Sequence, residues 1–127
     1  MRFEIKGETP SKKNSRVFLK NGRNIPSKRY LEWHSLALGE LFNQLVATSL
    51  ERFPLDEEVE ITLCFYHGDL RIRDSDNGTS SILDTLVDAH ILKDDNWQVV
   101  KTIVVHNEYD KENPRCVIDI EPIRKGL

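Results

Sequence analysis

The stretch Arg71-Ile72-Arg73-Asp74-Ser75-Asp76-Asn77-Gly78 carries residue types at a spacing that could do chemistry, and Lys93-Asp94-Asp95-Asn96-Trp97 follows it about twenty residues later. If residues 72–76 are extended, Asp74 and Asp76 project from one face, because side chains along a strand alternate with period two. Two carboxylates on one face repel each other unless a cation sits between them. A helix after Gly78 then returns the chain, so that Asp94 and Asp95 can come back beside the pair. Three or four clustered carboxylates, with no Cys and few His, suit hard, oxygen-preferring Mg²⁺ or Mn²⁺ better than zinc. The same residues also have a purely structural reading: Asp76 or Asn77 can cap a helix, and Asn77-Gly78 can turn a hairpin. A calcium EF-hand is excluded by register, since Gly78 stands fifth from Asp74 and no Glu stands twelfth.

A second chemical signal is the distribution of charge. The net charge is only −3, yet residues 1–33 hold nine Lys and Arg against three Glu, and the remainder holds nine basic and eighteen acidic residues. Such segregation fits a polyanion-gripping element joined to an acidic, cation-collecting body, or else two unrelated solvated faces of opposite sign. The cations Lys12, Lys13, Arg16, Lys20, Arg23, Lys28 and Arg29 would supply phosphate contacts that an acidic site cannot. Phe18 and Tyr30 lie among them and could stack on unpaired bases, although Tyr30 and Trp33 fit the packing of a helix on a sheet better. Trp97, directly after the acids, is expected in the core.

These groups need elements to position them. Phe3 and Ile5 alternate with charged neighbours in a short first strand, and from Gly7 to Ser27 the periodicity vanishes in a long polar loop of the kind that binds partners. That loop, at about residues 8–29, is the expected polyanion-binding element, which the resemblance given below implies is for DNA. Ser27 can cap a helix with apolar positions Leu31, Leu38, Leu41, Phe42 and Leu45, widened by Trp33 and Leu36, which should end before Pro54. Val59, Ile61, Leu63 and Phe65 form the clearest strand. A second helix fits residues 78–91, with Ile82, Leu83, Leu86, Val87, His90 and Ile91 on one side and Asp84 and Asp88 opposite. Strands at 97–105 and around Cys116, Ile118 and Ile120 look like a terminal hairpin. The order β-α-β-α-β-β predicts one α+β domain over residues 1–127, a mixed sheet packed against two helices, with Arg124–Leu127 as a frayed tail.

At 127 residues, 39% hydrophobic and 31% charged, the chain suits one core. No apolar run approaches the roughly 20 residues that span a bilayer, and the first residues form no signal-peptide core. A soluble, cytoplasmic protein without a membrane role is expected. Cys64 and Cys116 have no zinc-finger spacing and read as reduced, buried thiols. His90 lies on an apolar helix face, His34 on a flank, and His67 is closest to the acids, where a general-base role is conceivable but a packing role is the commoner outcome. No Ser-His-Asp arrangement, phosphate-cradling glycine loop or organic-cofactor fingerprint is present.

From Arg73 to Val99 the sequence resembles the RusA family of Holliday-junction resolvases: Arg-Asp-x-Asp-Asn, a helix carrying Asp84 and Leu86, and then Leu-Lys-Asp-Asp-Asn-Trp-Gln-Val. Pro10-Ser11-Lys12-Lys13-Asn14 is similar to the family's Pro-Ser-x-Asn segment with one extra residue. The resemblance implies a homodimer that binds four-way DNA junctions and nicks two strands symmetrically with Mg²⁺, for which Mn²⁺ can substitute. It makes Asp74, Asp76 and Asp95 the metal-binding catalytic acids and Asp94 a supporting ligand. Asn14, Arg71 and Arg73 join the DNA contacts, with Asn77 beside the acids. The chain departs from the family at Ser80, where a basic residue, usually lysine, is expected to touch the scissile phosphate; that role would then pass to Arg71, Arg73 or Lys93. Two other readings compete: a non-catalytic protein that binds branched DNA, and a metal phosphohydrolase acting on small nucleotides, which would not need seven cations in one loop.

Overall fold

A computed structural model describes residues 1–12, 16–48 and 53–123; Lys13, Asn14 and the tail Arg124–Leu127 lie outside them. The elements are β1 (Arg2–Lys6), β2 (Arg16–Phe18), β3 (Asn24–Pro26), α1 (Lys28–Val46), β4 (Val59–His67), α2 (Thr79–Asp88), β5 (Val100–Tyr109) and β6 (Arg115–Pro122). Apart from the small β2–β3 pair, this is the expected β-α-β-α-β-β order, a mixed sheet with two helices.

The sheet runs β1-β6-β4-β5, with β4 parallel to β5 and antiparallel to β6. The last two strands are therefore not a hairpin. β6 inserts between β1 and β4, while β5 is reached from β4 through α2, the crossover that a parallel pair requires. Register explains why β6 is central. Ile118 stands opposite both Phe3 and Leu63, and Cys116 opposite both Ile5 and Phe65, so their apolar side chains form one continuous buried face. Both helices pack on that face through Tyr30, Trp33, Ala37, Leu41 and Leu45 of α1 and Ile82, Leu83 and Leu86 of α2.

Ser27 caps α1 as expected, its Oγ accepting from the Tyr30 amide at 3.2 Å. Trp33, Leu41 and Leu45 face the core as expected, and Tyr30 and Ala37 complete the buried stripe, the Tyr30 and Trp33 rings packing with centroids 5.9 Å apart. Leu31, Leu36 and Phe42 are left exposed and Leu38 half-buried. The same helix covers the free edge of β1: the Glu4 amide donates to Gln44 Oε1 at 2.8 Å, Gln44 Nε2 donates to the Glu4 carbonyl at 2.7 Å, and the Lys6 amide donates to Glu40 Oε2 at 2.9 Å.

α2 is shorter than the predicted 78–91. The Ile91 amide bonds the Leu86 carbonyl and the His90 amide bonds the Val87 carbonyl, a Schellman closure with His90 at φ 59°. His90 is consequently exposed beyond the helix, not on its apolar face. No helix among the described residues is long and apolar enough to cross a membrane.

Candidate active site

Residues 72–76 are not an extended strand. The Asn77 amide donates to the Asp74 carbonyl at 3.1 Å and the Thr79 amide to the Asp76 carbonyl at 3.0 Å, so the acids lie on a turn that feeds directly into α2. Short polar side chains favour such local closure over a ladder. The turn nevertheless brings the two acids to one cleft. Asp74, Asp76, Asn77 and Ser80 line one cleft of about 280 Å³, together with Ser11 and Thr79. Asp74 and Asn77 also border a larger cleft of about 540 Å³, whose walls include Arg29, Arg71 and Arg73. Carboxylates and cations thus share one groove.

Asp94 and Asp95 return beside α2. Asp94 Oδ1 accepts from the Asp95 amide at 2.7 Å, and this bond, with those from Asn96, holds the Asp94 carboxyl below its ordinary value. Partial burial pushes Asp95 up, reinforced by Asp94 and by the charge of Asp84. Asp95 does not line the clefts that hold Asp74 and Asp76. Among the described residues, no three Asp, Glu, His or Cys side chains converge into a ready-made metal cage. The donor set of the smaller cleft is nevertheless carboxylate, amide and hydroxyl oxygen throughout, chemistry that fits a hard divalent cation and not a thiophilic one.

The expected DNA-contacting cations fall into two groups. Lys12 Nζ lies 2.6 Å from Asp84 Oδ2, and that bond raises the lysine's pKa. Arg16 braces the β2–β3 hairpin through Asn24, and Arg73, with little exposure, hydrogen-bonds Asp69 at 2.7 Å and is ion-paired with Glu8 at 2.8 Å. Lys20, Arg23, Lys28, Arg29 and Arg71 are exposed, Lys28 beside Glu32 and Arg71 beside Asp69, each at 3.7 Å. Lys93 is exposed as well. Phe18, at 78% exposure, stands on the hairpin among these charges.

Trp97 is a correction: it is 72% exposed, with Lys101 Nζ 4.5 Å from its ring centre, because residues 97–99 form a turn ahead of β5 that carries the indole outward. Sequence reasoning gave Asp84 no role in the site and passed over Glu8. Asp84 follows Ser80 by one helical turn, a spacing that could have placed it on the cleft side of α2. Glu8, in a loop without periodicity, gave no such signal.

A search of curated proteins found no match. The family model described as Endodeoxyribonuclease RusA matches residues 7–121, a span containing both clefts and all four acids at 74, 76, 94 and 95. The chain therefore belongs to the RusA endodeoxyribonuclease family.

Proposed function

We propose that the protein is a Mg²⁺-dependent endodeoxyribonuclease that resolves Holliday junctions and related branched DNA by paired, symmetric nicks, in recombination and repair. The observation that carries this reading is the placement of Asp74 and Asp76 in one cleft that opens beside Arg29 and Arg71. In this reading Asp74, Asp76 and Asp95 hold the divalent cation and Asp94 supports Asp95. When bound, such a cation supplies Lewis acidity toward a phosphodiester and acidifies a coordinated water. The chain's own part is to hold carboxylates at fixed positions and to draw phosphate toward them with Arg29, Arg71 and the hairpin cations Lys20 and Arg23.

Two cuts at equivalent phosphates of a roughly two-fold junction are most simply made by two equivalent sites, so the active form is a homodimer. Exposed Leu31 and Phe42, on one side of α1 with half-buried Leu38, support a second copy as the missing cover. One feature favours a second reading. Ser80 places a hydroxyl in the acid cleft where the family has a basic residue, which suits a protein that binds junctions without cutting them.

The test is incubation of the purified protein with a labelled four-way junction and a matched linear duplex, in Mg²⁺, Mn²⁺ or EDTA. Metal-dependent paired nicks confined to the junction are expected. Tight junction binding without cuts under either metal would assign the protein to the non-catalytic reading.

A further inference from the structure

The turn that carries the two acids is fastened at three points. Ahead of Asp74, the Arg73 guanidinium is ion-paired with Glu8. Behind Asp76, Gly78 is seated against the Phe65 ring. Between the acids, the Ser75 carbonyl accepts a bond from Asn107 Nδ2 at 2.8 Å. This last bond reaches across from β5, and it leads further. Asn107 Oδ1 faces His67 Nε2 at 2.8 Å, and His67 Nδ1 faces Glu8 Oε2 at 2.9 Å.

The bond to Ser75 fixes the orientation of the Asn107 amide, since only Nδ2 can donate to a carbonyl. Asn107 therefore presents its oxygen to His67. Each imidazole nitrogen then faces an oxygen, one on Glu8 and one on Asn107, so the ring is held at both ends. The ring is also stacked on Phe65, with centroids 6.2 Å apart and planes 14° from parallel. Phe65 in turn is the residue against Gly78. Histidine, asparagine and phenylalanine together grip the acid turn on both sides of Asp76.

We propose that His67 and Asn107 are positioning residues, forming with Glu8 a relay that fixes the Ser75 peptide and so sets the spacing between the Asp74 and Asp76 carboxylates. This rests on the nuclease reading for its consequence in catalysis, but not for its structural content. The relay touches no reacting atom. Its work is to keep two mutually repelling carboxylates in place before a cation arrives, the preorganisation that a metal site draws from its supporting residues.

The test uses the full-length protein and two variants. Asn107→Asp keeps an acceptor for His67 and removes the donor to Ser75; His67→Gln keeps a polar side chain but cannot bond Glu8 and Asn107 as the ring does. Amide hydrogen exchange is followed without added metal, and junction cleavage is followed in Mg²⁺. We expect the Asn77 and Thr79 amides, which close the acid turn, to exchange about tenfold faster in both variants, with β4 and β6 amides unchanged, by the logic of local opening. We also expect kcat to fall about tenfold while KM for the junction holds. Wild-type exchange at Asn77 and Thr79 in both variants, or equal acceleration throughout the sheet, would overturn the relay. Failure of the wild-type protein to cut any junction would overturn the nuclease reading alone, leaving the exchange data to decide the relay.

Discussion

Gly78 lies so close to Phe65 that a Cβ added to it would sit 2.8 Å from the ring's Cε1, and 3.0 Å from Thr9 Cγ2. The start of α2 is thereby pressed onto β4 and onto the loop after β1, which brings Asp74 and Asp76 to the cleft shared with Ser11. Gly78→Ala should destabilise the fold by about 1–3 kcal/mol, the usual cost of overpacking a tight contact. Urea unfolding measures it. A variant as stable as the wild type would mean that the turn shifts freely, contrary to the fixed placement described above.

Lys20 and Arg23 are exposed on the β2–β3 hairpin, whereas Arg16 is engaged by Asn24 within it. If the hairpin grips the DNA backbone, Lys20→Ala and Arg23→Ala should each weaken junction binding and reduce the slope of log K against log salt by about 0.9, the effect of one lost phosphate contact. Fluorescence anisotropy across a salt series measures this. Unchanged slopes would remove the hairpin from the interface.

Asp69 accepts from the Arg71 amide and from the Arg73 guanidinium, and the two hold its carboxyl below its ordinary value near 3.8. The fold therefore favours the ionised form. Its contribution is complete above the ordinary value and is lost as pH falls through the lowered one. Wild type should be more stable than Asp69→Asn at pH 6, and the gap should close as the pH falls below about 3.8. Denaturation midpoints of both proteins across that range provide the measurement; a gap independent of pH would contradict the assignment.

The elements were legible in sequence wherever one face repeats. Phe3 and Ile5, then Val59 to Phe65, alternate cleanly, and Ser27 announces its helix. Pairing was not legible, because Cys116, Ile118 and Ile120 can be buried equally well in a terminal hairpin or between two older strands. What decides for the latter is that Ile118 meets Phe3 and Leu63 at once. The acids stood out as candidates by type and spacing, but their geometry was not legible. Asp74 and Asp76 share a cleft because a turn closes around them, while Asp95 faces the charge of Asp84, a helical residue that periodicity assigned only to solvent. Glu8 from a loop, His67 from β4 and Asn107 from β5 meet only in the folded chain.

The most direct test of the nuclease account separates binding from cutting at one acid. Asp76→Asn preserves the size of the side chain in the cleft and removes its charge. With Mg²⁺ present, the variant should bind a labelled four-way junction as tightly as wild type, or more tightly as carboxylate repulsion falls, and should produce no nicks on a denaturing gel. Nicking at the wild-type rate by Asp76→Asn would contradict the assignment of the catalytic site to the turn between Arg73 and Gly78.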